Sequence, residues 1–259
     1  MSLRINSDFN GVTDPDAGAY IAAVEAADGN QLLEFAVGKA INDFVVGCKA
    51  DGIWNAIKAS CILAGARTLS GALVPLVGTA PTNNGPFVAG DYNRKTGLVG
   101  NGSTKYLSTG FAENSVPQNS IHLAAYATSS FGNSRFMIAG ADNTSSCNLY
   151  KGSTGLLTSY LRGGNPINSG SVVATGFFGS SRTTSSTISA RYSGVDVSTS
   201  STSSPVNTTT LDVFRSQTYP TQYLGDGRLA FYSIGESLDL AKLDARVTTL
   251  INAFGAAIP

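Results

Sequence analysis

The first third of the chain has the hydrophobic spacing of helices. Residues 14–29 begin with Asp14 and Pro15, continue with apolar residues every three or four positions, and end at Gly29. Residues 30–52 repeat this spacing over a longer stretch, and residues 53–65 repeat it over a shorter one. The pattern therefore predicts three short helices that pack on one another or on a sheet.

The pattern changes in the loop-rich passage that contains Pro75, Pro81 and Pro86. Beyond it, short apolar runs alternate with clusters of Gly, Asn and Ser. The runs span residues 97–99, 121–127, 135–139, 147–150, 155–160, 172–178, 188–192, 210–214 and 228–234. Short strands at this spacing predict an antiparallel sandwich or barrel rather than a parallel sheet. We predict a helical docking or packing region over 1–84 and a β-sandwich over 85–259.

Composition narrows the possible partners. Only 13% of the 259 residues are charged, and 17 basic residues balance 17 acidic ones. Such a chain lacks the basic surface that binds nucleic acid or an anionic membrane, and no apolar stretch is long enough to insert into a bilayer. The first ten residues have no charged head followed by an apolar run, so we expect no export signal. The three cysteines, Cys48, Cys61 and Cys147, are expected to be buried free thiols, with a Cys48–Cys61 disulfide as the alternative.

The second half contains an ordered series of phrases: TGLVGNGSTKYLSTG, ISARYSGVDV, TLDVFRSQTY and GDGRLAFYSIGESLDLAKLD. In this order they resemble the concanavalin A-like lectin/glucanase superfamily, in its laminin-G-like or pentraxin-like form. The resemblance implies a mainly β fold, an antiparallel jelly-roll sandwich whose last strand leads into a short C-terminal helix. Alternation along that strand predicts that Leu229 and Phe231 share one face of the sheet and that Ala230 and Tyr232 share the other. Asp239 is the expected helix cap.

Other phrases lie mainly in the first 107 residues, among them DAGAYIAAVEAADG, GALVPLVGTAPTN and GDYNRKTGLVGNGSTKYL. They resemble a module of tailed-bacteriophage and prophage proteins, including tail-fibre and other virion-associated polypeptides. The resemblance implies a virion structural protein that assembles in the host cytoplasm and is exposed on the particle, as a capsid decoration or a tail-fibre-like element. The implied partners are other capsid or tail proteins and further copies of the chain in a homo-oligomer, which we expect to be a trimer.

The residues needed for catalysis are sparse. The chain has four glutamates, at positions 25, 34, 113 and 236, and no Glu-x-Asp-x-x-Glu run that would supply a glycosidase carboxylate pair. His122 is the only histidine and lies in a predicted strand without a nucleophile motif, so a structural role is favoured. Glu236 and Asp239 are interpreted as a turn and cap pair. We therefore predict no catalytic residues and a protein that is not an enzyme.

Metal and cofactor sites are not predicted either. One histidine and three scattered cysteines give no close pair of zinc ligands. Calcium is the alternative, because laminin-G-like domains often bind it through Asp side chains and loop carbonyls. The candidate ligands would be Asp142, Asn143, Asp196 and Asp226, which lie near predicted strand ends.

Aromatic residues near loops suggest contact with sugars. Rings stack on sugar faces, while polar side chains bind the hydroxyls. The candidates for binding a host surface glycan are Tyr150, Tyr160, Arg162, Tyr219 and Tyr223. The alternative is that these residues belong to the core or its rim. Three functions follow: a non-enzymatic virion surface protein, a lectin-like module that recognises the host, and, as a distant third, a polysaccharide depolymerase.

Overall fold

Strands dominate the computed structural model of the protein, which describes residues 11–140 and 146–259. The strands are β1 (Ile57–Ile62), β2 (Pro75–Val77), β3 (Thr82–Asn84), β4 (Tyr92–Asn93), β5 (Gly97–Val99), β6 (Tyr106–Ala112), β7 (Ile121–Ser129), β8 (Arg135–Ala139), β9 (Cys147–Lys151), β10 (Leu156–Leu161), β11 (Ile167–Val172), β12 (Gly176–Arg182), β13 (Thr187–Tyr192), β14 (Val195–Ser200), β15 (Thr210–Val213) and β16 (Arg228–Gly235). The helices are α1 (Pro15–Ala27), α2 (Phe35–Ala50), α3 (Leu69–Ala72) and α4 (Leu240–Ala257).

The strands form two antiparallel sheets. The nine-stranded sheet has the order β14-β13-β12-β7-β16-β1-β2, with β5 also pairing with β16 and β4 pairing with β5. The seven-stranded sheet has the order β11-β10-β9-β8-β15-β6-β3. Two facing antiparallel sheets with helices at both ends of the chain confirm the predicted mainly β sandwich.

Two cores hold the layers together. One lies between the sheets and contains Leu149 of the seven-stranded sheet and Phe178 of the nine-stranded sheet. The other lies between the nine-stranded sheet and the helices, where Phe44 of α2 meets Phe231 of β16 edge to face, with ring centroids 5.8 Å apart. The helices therefore cover the outer face of the nine-stranded sheet. The outer face of the seven-stranded sheet is where the site described below lies.

Both predicted helix caps are confirmed. The Asp14 carboxylate accepts hydrogen bonds from the backbone amides of Asp16 and Ala17 at the start of α1. The Asp239 carboxylate accepts from Ala241 and Lys242 at the start of α4. Each cap satisfies amides that have no partner within the first helical turn. None of the helices in the described ranges is long and apolar enough to cross a membrane.

The third predicted helix is wrong, and the second begins later than its pattern suggested. Helix α2 starts at Phe35, and residues 53–65 contain a 3-10 turn, Trp54–Ala56, followed by β1. Strand β1 lies between β16 and β2, with the helices on one face and the other sheet behind it. A strand that is buried on both faces is apolar throughout, so its spacing does not distinguish it from a helix.

Residues before position 84 thus supply strands as well as helices. Strands β1 and β2 belong to the nine-stranded sheet, and β3 pairs with β6 in the seven-stranded sheet. The division of the chain near Asn84 stays a prediction.

The predicted alternation along β16 is also wrong at one point. The pairing of β16 with β7 shifts between Leu229 and Phe231, which marks a β-bulge. Leu229 and Tyr232 lie in the core between the sheets, whereas Ala230 and Phe231 lie in the core under the helices. The bulge adds a residue to one strand and so reverses the alternation after it, which the sequence pattern does not reveal.

The predicted strand over 172–178 is two strands. Strand β11 ends at Val172, and β12 begins at Gly176. Gly176 has a φ of 107°, a backbone conformation that other residues avoid, and it provides the turn between the two strands.

The cysteine prediction is confirmed. Cys48, Cys61 and Cys147 are all free and buried, which excludes the alternative disulfide. Burial raises the pKa of the Cys48 and Cys61 thiols to about 12. These thiols are therefore protonated and unreactive in the folded protein.

Candidate functional site

Three neighbouring strands place aromatic and amide side chains on the outer face of the seven-stranded sheet. Cys147 and Leu149 of β9 point into the core between the sheets, so Asn148 and Tyr150 point outward. Phe136 of β8 lies opposite Tyr150 on one side. The strand β10 lies on the other side, with Tyr160 opposite Asn148. Strand register alone therefore brings these four side chains together.

The loop between β15 and β16 adds two more tyrosines. Tyr219 lies nearly parallel to Phe136, with ring centroids 6.3 Å apart and an interplanar angle of 16°. Tyr223 stands against Tyr219 at an angle of 81°, with centroids 5.4 Å apart. The result is a pocket of about 210 Å³, which we call the tyrosine pocket. It is lined by Ser134, Phe136, Asn148, Tyr150, Tyr160, Tyr219 and Tyr223.

Backbone hydrogen bonds hold this loop against the sheet. The Phe136 amide donates to the Tyr223 carbonyl at 3.0 Å, and the Gln222 amide donates to the Tyr219 carbonyl at 3.2 Å. The Gly225 amide donates to the Phe214 carbonyl at 2.7 Å and closes the base of the loop. Tyr223 has a φ of 60°, in the left-handed region, and the residue is 43% exposed. The loop therefore presents an aromatic ring to solvent from a fixed backbone.

Polar groups border the aromatic rings. Asn148 is buried, and its side-chain oxygen accepts a hydrogen bond from the Tyr160 amide at 3.2 Å. On the same outward face, the Thr158 hydroxyl donates to the side-chain oxygen of Asn168 at 2.9 Å. The site thus combines apolar ring faces with neutral amides and hydroxyls, which is the chemistry of a pocket for a polar, uncharged ligand.

The predicted glycan-binding residues divide into two groups. Tyr150, Tyr160, Tyr219 and Tyr223 all line the tyrosine pocket. Arg162 does not, because its side chain has no exposed surface. Its role as a sugar ligand therefore needs correction: the residue is part of the interior.

The surroundings of Arg162 explain its burial. One terminal nitrogen donates to the Pro117 carbonyl at 2.5 Å, and the other donates to the Glu113 carbonyl. The chain around Arg162 is fixed as well, since its amide donates to Ser146 and its carbonyl accepts from Ser204. The arginine thus joins three segments that are distant in sequence.

Three residues of the tyrosine pocket were missed from the sequence: Ser134, Phe136 and Asn148. The segment CNLYK could have pointed to Asn148, because residues at positions i and i+2 of a strand share a face and Asn148 precedes Tyr150 by two. Phe136 could be found only from the pairing of β8 with β9, which depends on the register of the whole sheet.

His122 has the structural environment that its strand position indicated. It is fully buried in β7, where its Nδ1 donates to the Glu236 carbonyl at 2.5 Å and its Nε2 accepts from the Ser233 hydroxyl at 2.8 Å. A carbonyl can only accept, so the proton of the neutral ring lies on Nδ1. Burial lowers the pKa of His122 to about 4.

The acidic residues considered for metal binding or catalysis have other partners. Glu236 pairs with Lys58 at 3.0 Å, and Asp196 pairs with Arg191 at 2.7 Å. Asp226 pairs with Arg135 at 3.3 Å. Asp142 and Asn143 lie outside the described residues. Within residues 11–140 and 146–259, no three potential metal ligands are grouped together.

The similarities between this chain and known proteins are confined to solved structures. No protein-family model matches the sequence. No curated protein sequence matches it. Among solved structures, domain 4 of AbnA, a GH43 extracellular arabinanase from Geobacillus stearothermophilus in complex with arabinotriose, has 14% identity and a TM-score of 0.40 over 57% of this chain and 74% of that domain.

Sialidases from Trypanosoma rangeli are similar as well. A mutant that displays trans-sialidase activity has 10% identity and a TM-score of 0.47 over 83% of this chain and 39% of that one. A complex with 2,3-difluoro-KDN has 10% identity and a TM-score of 0.44 over 76% of this chain. The chain spans about a third of that sialidase, 33% of its length. Such low identities and TM-scores give this chain neither a substrate nor a mechanism.

These solved structures correct one prediction. They come from an arabinanase and from sialidases, which are enzymes. The prediction that the chain is not an enzyme is contradicted, because the proteins named for these structures are enzymes. The lack of a recognisable carboxylate pair in the sequence does not exclude catalysis.

Proposed function

We propose that the tyrosine pocket binds a carbohydrate. The observation that carries the proposal is the convergence of Tyr150, Tyr160, Tyr219 and Tyr223 on one solvent-accessible pocket, although they come from two strands and a loop. The C–H faces of a sugar ring stack on aromatic rings, and its hydroxyls bond to amides and hydroxyls. Asn148 and Ser134 supply such groups at the walls of the pocket.

The backbone at Tyr223 supports the same proposal. A residue with a side chain in the left-handed region costs about 1–2 kcal/mol relative to the ordinary conformation. Tyr223 adopts that conformation with a φ of 60°, and the residue is 43% exposed, so burial offsets only part of the cost. Backbone strain of this kind clusters at active sites and ligand-binding sites.

Replacing Tyr223 by alanine tests the proposal. The substitution removes the exposed ring, so we expect glycan affinity to fall by about 2 kcal/mol, roughly 30-fold. A glycan array identifies the ligand of the unaltered protein, and calorimetry then compares the variants. The matched control is Phe35→Ala, which removes an exposed ring from α2, on the helical side of the nine-stranded sheet. Unchanged affinity in the Tyr223 variant, or an equal loss in the Phe35 variant, would contradict the proposal.

Replacing Tyr223 by glycine separates strain from binding. Glycine adopts the left-handed region freely, whereas alanine keeps the strain, so we expect Tyr223→Gly to be more stable than Tyr223→Ala by about 1 kcal/mol. Both variants lose the ring and should lose the same affinity. Urea unfolding measures the first quantity and calorimetry the second. Equal stability of the two variants would show that the conformation at Tyr223 carries no strain.

We propose separately that the chain lies on the surface of a phage particle, because its first 107 residues resemble phage modules. There it would form a homo-oligomer, a trimer, and contact other virion proteins. Mass spectrometry of purified particles together with light scattering of the isolated protein tests it. Absence from the particles and a monomeric mass in solution would overturn it.

A further inference from the structure

Among the residues that the structure describes, the polar groups that line the tyrosine pocket are all uncharged. They are the Ser134 hydroxyl, the Asn148 amide and the hydroxyls of the four tyrosines. The strands β8, β9 and β10 and the loop over 214–227 build this pocket. An ionised ligand can form an ion pair in the pocket only if one of these segments has an unpaired charged side chain.

The charged residues of β8 and β9 are already paired or point inward. Arg135 of β8 forms an ion pair with Asp226 and donates to the carbonyls of Gly102 and Leu224, at 3.1 Å and 3.3 Å. Lys151 of β9 is buried, and its amine donates to the Phe131 carbonyl at 2.8 Å. Neither cation is left to bind an anion in the pocket.

The remaining charges of these segments are paired or enclosed too. Arg215 of the loop lies 2.5 Å from the carboxylate of Asp212, and its guanidinium stacks over the Tyr106 ring at 3.6 Å from the centroid. Strand β10 contains no charged residue, and Arg162, which follows it, is enclosed in the interior. Within the described residues of β8, β9, β10 and the loop over 214–227, the tyrosine pocket thus has no unpaired cation beside it.

An acidic sugar would therefore lose hydration without gaining a partner. Moving an ionised carboxylate from water to a site without a cation is unfavourable, and the electron-rich faces of aromatic rings repel an anion. A neutral sugar meets neither cost, because its hydroxyls match the amide and hydroxyl groups of the walls. Building on the proposed function, we infer that the ligand of the tyrosine pocket is an uncharged glycan and that the pocket discriminates against carboxylated sugars.

The experiment uses glycans that differ only in charge. Neutral oligosaccharides of glucose, galactose, mannose, xylose or arabinose are screened for binding that the Tyr223→Ala variant loses. For the tightest binder that carries a primary alcohol at C6, the C6-oxidised uronate and its methyl ester are then compared with the parent. Sialylated and uronate-containing oligosaccharides are included in the same screen.

We expect the uronate to bind at least about tenfold more weakly than the parent, because its ionised group has no partner. The methyl ester should recover most of the loss, since it restores neutrality at a similar size. Binding of the neutral parent should be independent of salt concentration, as no charge is involved.

Failure of this inference is distinguishable from failure of the proposed function. If an acidic glycan binds as tightly as the neutral ones and its binding depends on Tyr223, the inference is wrong while the carbohydrate-binding function stands. If the methyl ester binds as weakly as the uronate, size rather than charge causes the discrimination, and the inference is also wrong. If no glycan binds in a Tyr223-dependent way, the proposed function fails and this inference fails with it.

Discussion

Arg162→Ala is expected to lower the free energy of unfolding by about 3–5 kcal/mol, because it removes a fully buried guanidinium that donates to two backbone carbonyls. The guanidinium donates to the carbonyls of Pro117 and Glu113, and the Glu113 carbonyl loses this donor in a buried position. The truncated side chain also leaves a cavity among segments that it joins. Urea unfolding followed by circular dichroism measures the change.

Two further variants identify the cause of that loss. Arg162→Met keeps most of the volume but leaves the carbonyls unpaired, so it should remain strongly destabilised. Lys39→Ala breaks only the exposed ion pair with Asp43 and should cost less than about 1 kcal/mol. A stable Arg162→Ala variant that loses glycan binding would instead show that Arg162 is a ligand residue and that the interior role assigned to it is wrong.

Acidification is expected to destabilise the protein through His122. The ordinary pKa of 6.5 applies to the unfolded chain, and burial lowers the pKa to about 4 in the folded protein. Between these values the unfolded chain binds the proton and the folded protein does not, so the free energy of unfolding falls as the pH falls. The loss through this one group is about 2 kcal/mol at pH 5 and about 3 kcal/mol at pH 4.

His122→Gln provides the control for this prediction, since glutamine does not titrate. We compare the change in unfolding free energy between pH 7 and pH 5 in the two proteins, which removes any constant cost of the substitution. At pH 5 most carboxylates are still ionised in both states, so the histidine dominates the difference. The same pH dependence in both proteins would contradict the assignment of His122 as a buried neutral group.

Much of the fold could be predicted because its local signals agree. Asp14 and Asp239 were recognised as caps from their side chains and from the helical spacing after them. Strand β8, over 135–139, and strand β5, over 97–99, have the predicted bounds. These elements depend on their own residues and near neighbours, which a single sequence contains.

The errors arose where distant parts of the chain decide the local structure. Strand β1 resembles a helix because both of its faces are buried, which depends on α4 and the second sheet. The bulge at Leu229 depends on how β16 pairs with β7. Arg162 looks like a loop residue in the sequence, and only the position of Glu113 and Pro117 shows that it is enclosed.

The tyrosine pocket could be predicted from the sequence only in part. Its four tyrosines could be listed from their types and their closeness to predicted loops. Their convergence could not, because it requires the register of β8, β9 and β10 and the return of the loop that contains Tyr219 and Tyr223. A single sequence identifies the residue types of a site more readily than the distances between them.

The most direct measurement is a titration of the protein, labelled with ¹³C in its tyrosine and tryptophan rings, with the neutral glycan selected on the array. We expect the ring signals of Tyr150, Tyr160, Tyr219 and Tyr223 to shift as glycan is added, and all four titration curves to fit the same dissociation constant. Signals of the buried Tyr20 and of the Trp54 indole, both on the helical side, should stay in place. Shifts confined to Trp54 and Tyr20, with the four pocket tyrosines unchanged, would contradict the account.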